Sequence, residues 1–187
     1  MRKSKEEAAE SRARILAAAA RLFRARGPES VSVAEVMQAA GMTHGGFYKH
    51  FASKDALLAA TIAWVFEQKR ALVSGAGGAD ARAVLAAYFE HYLSPGHVEN
   101  LETGCPIAGL SLDAIRASPE AKTALADGSA AMIAALARLH GGEEEGQTAA
   151  LHDLMIMVGA VVLARAVDDD ALKASILAGA GRALRPI

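Results

Sequence analysis

Apolar residues recur at helical spacing along nearly the whole chain. Ile15, Leu16, Ala19, Leu22 and Phe23 fall at i, i+1, i+4, i+7 and i+8, one stripe of a helix whose other face carries Arg12, Arg14, Arg21 and Arg24. Gly27-Pro28 stops that helix. Ser32 followed by Glu35 has capping-box spacing, which predicts a short helix from about Val33 to Ala40. Gly41 ends it in a tight turn, and Thr43 can cap another short helix through about His50. Ser53 then caps a long helix carrying Leu57, Leu58, Ile62 and Val65. Four helices therefore fit in the first seventy residues.

Ser74-Gly-Ala-Gly-Gly-Ala-Asp80 is small and glycine-rich and predicts a boundary or flexible connection. Beyond it Val84, Leu85, Tyr88 and Tyr92 form one stripe, and Leu125, Met132, Ile133, Leu136 and Leu139 another, with a shorter helix between them from about Ile107 to Ala117. Ser118-Pro119-Glu120 is a strong helix start, combining a hydroxyl cap, a first-turn proline and an acid at the positive end of the dipole. Gly141-Gly142 closes that helix, and Glu143-Glu-Glu145 reads as a solvated loop. Residues 147–167 and 169–182 give two last helices separated by Asp168-Asp-Asp170. All five prolines fall at helix edges or in connections, as the cost of proline in a helix interior requires. The fold class expected is all-α.

Composition agrees. Of 187 residues, 44 are alanine, and aromatics make up 5%; alanine is the strongest helix former, whereas β domains lean on branched and aromatic residues. The single cysteine permits no internal disulfide, and the first residues lack the apolar stretch of a secretion signal. The longest apolar run, Leu154 to Ala164, is 11 residues, short of the roughly 20 needed to cross a bilayer. These features predict a cytoplasmic location and no membrane partner. The net charge of −1 hides an asymmetry. Residues 1–70 carry 12 Lys and Arg against 7 Asp and Glu, giving +5, and residues 71–187 carry 8 against 14, giving −6. A basic front half suits a polyanion, while the acidic, apolar rear half engages something else.

Residues 31–51 read as helix, tight turn, helix. Val33, Val36, Met37 and Ala40 turn inward, as do Phe47 and Phe51, leaving Thr43, His44, Gly45, Tyr48, Lys49 and His50 outside. Hydroxyl, imidazole, phenol and ammonium groups on a short helix, with glycine permitting close approach, suit insertion into a DNA major groove.

The segment Ala40-Gly-Met-Thr-His-Gly-Gly-Phe-Tyr-Lys-His-Phe-Ala-Ser-Lys-Asp-Ala-Leu-Leu58 resembles the signature of TetR-type (TetR/AcrR) transcriptional regulators, over roughly residues 12–60. The resemblance implies a helix-turn-helix DNA-binding domain over 1–54 and a helical effector-binding and dimerisation domain over 55–187. It further implies a homodimer on a palindromic double-stranded operator, most simply a repressor, released by a small-molecule effector. By position, Thr43, His44 and Gly45 match the front of the recognition helix, and Tyr48 and His50 match phosphate-contacting positions. Lys49 sits where a basic contact is often found, Lys54 opens the next helix toward a phosphate, and Ser32 matches the residue that caps helix two and touches the DNA backbone. Gly46 stands where bulkier residues are frequent, at a cost of about 1 kcal/mol of helix stability relative to alanine.

In the rear half Trp64, Phe66, Tyr88, His91, Tyr92, Cys105, Met132 and Met155 are candidates for an effector pocket, being apolar or aromatic with a few polar tips; the competing reading makes them ordinary core. Cys105, in Gly-Cys-Pro, is either a thiol sensor at a helix N-terminus or a small buried packing residue. Leu151, Leu154, Met155, Val158, Val161 and Val162, with Leu172, Ile176, Gly179 and Gly181, supply apolar surface for a four-helix dimer seam, the alternative being a buried central helix in a monomer. No metal-ligand pair is apparent among the six histidines, no cofactor is expected, and no spacing supports an enzyme built on Cys105 with His91 or His97. A rival to the switch is a DNA-binding protein whose rear half binds no effector.

Overall fold

A computed structural model describes residues 2–74 and 80–184. These form nine α-helices: α1 (Arg2–Arg26), α2 (Val33–Ala39), α3 (Lys54–Ser74), α4 (Ala81–Tyr92), α5 (Pro95–Glu99), α6 (Pro106–Ala117), α7 (Pro119–Leu139), α8 (Glu144–Ala166) and α9 (Asp170–Ala183), with 3₁₀ segments at His44–Lys49 and Leu101–Thr103. There is no strand among the described residues. The expected glycine connection lies, at 75–79, outside them.

The first core gathers Ile15, Leu16, Phe23, Val36, Met37, Phe47 and Phe51 with Leu57, Leu58, Ile62 and Phe66 of α3, and Leu110, Ala114 and Ala121 close it from behind. The expected stripe of α1 is therefore the buried one. The helix begins at Arg2, and one of its residues departs from expectation: Arg24 is not on an outer face but half-buried, donating to the Gly104 carbonyl at 3.0 Å. The second core joins Leu85, Phe89, Tyr92, Val98, Cys105, Met132, Leu136, Met157 and Val161.

Caps fall where local sequence places them. Ser118 Oγ accepts from the Ala121 N–H at 3.1 Å, and Ser53 Oγ from the Ala56 N–H at 3.0 Å. Helix α5 and the 3₁₀ turn after it were not expected. They use the same Ser-Pro start, Ser94 accepting from the His97 N–H, but five residues are too few to show an apolar stripe. Glu143–Glu145 is no loop: Glu144 and Glu145 form the first turn of α8, where acids complement the helix dipole.

At 23 residues, with a mean hydropathy of 1.6 over its most apolar window, α8 is long and apolar enough, by length and composition, to cross a bilayer. Here its Leu154, Met157, Val161 and Ala164 line the second core, and its buried Asp153 meets His140 Nε2 at 2.6 Å. Leu154 and Val161 thus face inward and cannot serve an outer seam. The exposed apolar stripe is Leu151, Met155 and Val162, with Leu172 of α9 also exposed.

Candidate nucleic-acid interface and effector cavity

The front site rests on a chain of local bonds. Ser32 Oγ accepts from the Glu35 N–H at 3.2 Å, and Glu35 Oε2 accepts from both the Ser32 N–H and the Ser32 hydroxyl at 2.8 Å. Arg26 Nη1 reaches Glu35 Oε1 at 2.9 Å. The backbone bond from Ser32, then its hydroxyl, then Arg26 hold the Glu35 carboxyl down at about 2. The end of α1 is thereby tied to the start of α2. Gly41 follows with φ +70°, a left-handed conformation open chiefly to glycine, and turns the chain into His44–Lys49.

That segment is 3₁₀, tighter than the expected helix, and Thr43 precedes it with no side-chain capping bond. The Thr43 hydroxyl therefore has no role in the helix start. Phe47 is buried, and Phe51 stacks on it at 5.9 Å between ring centroids. Thr43, His44, Gly45 and Lys49 are exposed, and His50 and Lys54 half-buried. Tyr48 is 70% exposed although aromatic, its ring edge-on to Phe47 at 5.2 Å. The fold therefore brings Thr43, His44, Gly45, Tyr48, Lys49, His50 and Lys54 into one neighbourhood, while the hydroxyl of Ser32 is engaged by Glu35. Arg12 joins them, its guanidinium 4.8 Å from the centre of the Phe51 ring; sequence placed it on a polar face without linking it to this end of the molecule.

Phe66, Tyr88, His91, Tyr92, Cys105 and Met132 line one internal cavity, together with Lys69, His97, Pro106, Ile107 and Leu154. Trp64 does not: it packs on the first core. Met155 does not either, being 63% exposed on α8. Each lies next to or near a lining residue on its helix and is turned away by the helical rotation. The cavity volume is about 20 Å³, room for about one water. An open groove of about 590 Å³ lies on the outer side of Phe66, between α3 and α7.

The cavity is electrically one-sided. Lys69 Nζ donates to the Thr103 carbonyl at 2.8 Å, and Arg165 donates to the carbonyls of Val98 and His97 at 2.9 and 3.1 Å. Gly104 makes room for Arg165, since a Cβ there would stand 2.6 Å from its Nη2. Burial lowers Arg24 to about 10 and pulls Lys69 and Arg165 down as well. Among the described residues none of these three cations is paired with a carboxylate at ion-pair distance. Burial also lowers His97 to about 4, so its ring is neutral, with Nδ1 2.6 Å from the Tyr92 carbonyl. Lys69 and His97 are not among the pocket residues expected from sequence, where His97 enters only as a partner for Cys105 in the enzyme alternative. Lys69 follows Phe66 at i+3, a signal that was present, whereas His97 sits on the unexpected α5.

Residues 15–61 match the profile of bacterial regulatory proteins of the tetR family. The chain is 48% identical over 56 residues to the HTH-type transcriptional regulator AcrR of Shigella flexneri, and 42% identical over 62 residues to TtgR of Pseudomonas putida. These matches cover 30% and 33% of this chain but only 26% and 30% of those proteins. Over nearly the whole length, the fold is similar to a crystal structure of a TetR transcriptional regulator from Chloroflexus aurantiacus, with TM-score 0.75, 26% identity and coverage of 99% of this chain and 95% of that one. The capped turn and the exposed 3₁₀ segment thus lie within a stretch, residues 15–61, that matches the tetR family, and the helical bundle behind them shares the fold of that TetR regulator.

Proposed function

We propose that the protein is a cytoplasmic transcriptional regulator that binds palindromic double-stranded operator DNA as a homodimer, acts as a repressor and is released by a small-molecule effector. The observation that carries the DNA reading is the segment Thr43–Lys49, projecting polar and basic side chains outward while Phe47 anchors it to the core. Gly45 and Tyr48 sit beside Thr43, His44 and Lys49, so base edges and phosphates fall within reach of the same short segment. Lys54 opens α3, whose first free N–H groups lie at the positive end of the helix dipole.

Homodimerisation is supported by the exposed stripe Leu151, Met155 and Val162 with Leu172. Two recognition segments set about 34 Å apart would occupy successive major grooves and add their binding energies. Helix α3 links the two sites. Lys54 is its first residue, and Phe66, about 18 Å further along at 1.5 Å per residue, lines the cavity. An effector that displaces Phe66 would tilt α3 and reset the spacing of the recognition segments.

One observation favours a second reading, in which the rear half binds no effector: the cavity as it stands holds about one water. Both readings are tested by operator selection from a random duplex pool, repeated with candidate small molecules. Salt-sensitive binding to an inverted repeat is expected. Loss of that binding with an effector supports the switch; equal affinity with every compound favours the second reading, and no salt-sensitive binding to any duplex refutes the DNA function.

A further inference from the structure

We propose that the rear cavity is a site for a small organic acid, a carboxylate on an aromatic or alkyl body, with the carboxylate held between Lys69, the Tyr92 hydroxyl and the N-terminal end of α6. The inference rests on the effector reading above and specifies the chemistry of that site. Three independent features meet there.

The first is an unmet donor. Tyr92 is 4% exposed, lines the cavity, and its hydroxyl has no oxygen or nitrogen partner among the described residues, only the weakly accepting Cys105 thiol beside it. A buried hydroxyl without a good acceptor is destabilising, a cost that an oxygen acceptor entering the cavity removes. Burial raises Tyr92 above its ordinary value, so it enters as a donor. The second feature is the start of α6. Cys105, Pro106 and Ile107 form part of the wall, and Cys105 at the N-cap makes no capping bond. The Gly109 N–H makes the bond back to the Cys105 carbonyl at 3.1 Å, leaving the N–H groups of Ile107 and Ala108 ahead of it without intrahelical partners. That end of a helix favours negative charge. The third is Lys69, whose ammonium spends one donor on the Thr103 carbonyl and keeps two, with Arg24 and Arg165 behind it; Glu102 offsets Arg24 in part, and Lys69 itself has no carboxylate at ion-pair distance among the described residues.

The remainder of the wall is mostly apolar: Phe66, Ile107, Met132 and Leu154 beside the rings of His91 and His97, with His97 Nδ1 already engaged by the Tyr92 carbonyl and the Tyr88 hydroxyl only by a weak 4.0 Å contact to Met132 Sδ. An acidic head with an apolar body matches this division. A cationic ligand would meet like charge, and a neutral apolar one would leave Tyr92 unpaired. Admission requires movement of the wall, and Phe66 is the residue with space beyond it, since it also lines the open groove.

The test is calorimetric titration of the full chain, at fixed ionic strength, with a series of 4-alkylbenzoates and cinnamates, each beside its primary amide. At least one acid should saturate and bind tenfold or more tightly than its amide. Lys69→Met should weaken the acid about tenfold while leaving the amide nearly unchanged, and Tyr92→Phe should weaken the acid about fivefold. Tyr92→Phe removes a single oxygen, so the test stands even where Lys69→Met fails to fold. No saturation by any acid, equal binding of acid and amide, or an undiminished affinity for the acid in Tyr92→Phe overturns the proposal. Operator binding is measured on the same preparations. If operator binding persists but the acid preference is missing, the acid site alone fails. If the preference is present but operator binding is unchanged by the acid, the switch fails and the acid site stands.

Discussion

Gly128→Ala tests the seat of Phe66, the residue shared by the first core, the cavity and the outer groove. A Cβ at position 128 would lie 2.1 Å from Phe66 Cδ2 and 2.4 Å from Cγ, far inside van der Waals contact, so the ring must move. Two effects compete. Replacing a mid-helix glycine by alanine stabilises α7 by about 1 kcal/mol, whereas forcing a packed ring from its position costs about 1–3 kcal/mol. The overlap involves several ring atoms, so the second effect wins, with a net loss of about 1 kcal/mol and a fall in Tm of about 3 °C for a chain of this size. In a Phe66→Leu background the clash is relieved and the helix gain remains, so Gly128→Ala should there stabilise by up to about 1 kcal/mol. Thermal or urea unfolding of the four proteins closes a double-mutant cycle, with an expected coupling of about 2 kcal/mol. If Gly128→Ala stabilises equally in both backgrounds, Phe66 does not sit on Gly128, and the wall between cavity and groove is not as described.

Lys54→Ala should weaken binding to all duplexes and lower the slope of log affinity against log salt by about 1, whereas Thr43→Ala and His44→Ala should alter preference at particular bases; an unchanged slope removes Lys54 from the interface. Glu35 is held at about 2 against an ordinary 4.5, so its bonds stabilise the fold fully above about 4.5 and are lost as pH falls toward 2. The Tm gap between wild type and Glu35→Gln should accordingly shrink across that window, and a gap constant with pH refutes the linkage. Met155→Asp together with Val162→Asp places charges on the exposed stripe of α8 and should give a monomer in sedimentation, with weakened operator affinity and an unaltered helical spectrum.

The front site was legible because its signals are local. Ser32 and Glu35 are three residues apart, Gly41 announces its own turn, and Phe47 and Phe51 are spaced to anchor the segment between them. What sequence missed depends on contacts between distant residues. By spacing Arg24 belongs to a polar face, but Gly104, 80 residues away, supplies a carbonyl for it. Helical stripes tell which residues share a side but not which neighbour that side meets. Trp64 and Phe66, two residues apart on α3, point about 200° from one another, so the cavity receives Phe66 and the first core takes Trp64. Leu154 and Met155 differ by about 100°, and α8 is apolar on both sides, so only tertiary packing separates core from exposed seam.

The narrowness of the cavity bears on the mechanism. A conformer with room for about one water cannot be the one that holds an effector of a dozen heavy atoms, so on the proposed reading ligand and operator select different arrangements of Phe66 and α3. A ligand shifts such an equilibrium only by the difference between its affinities for the two states, and a coupling of about 1–3 kcal/mol gives a 5- to 150-fold change in operator affinity. The measured ligand affinity is reduced by the fraction of molecules already open. Substitutions that loosen the wall, such as Phe66→Leu, should therefore tighten acid binding and weaken operator binding together, in opposite directions and from one cause. A variant that tightens the acid while leaving operator affinity untouched would show that the cavity opens without moving α3, and would separate the binding site from the switch.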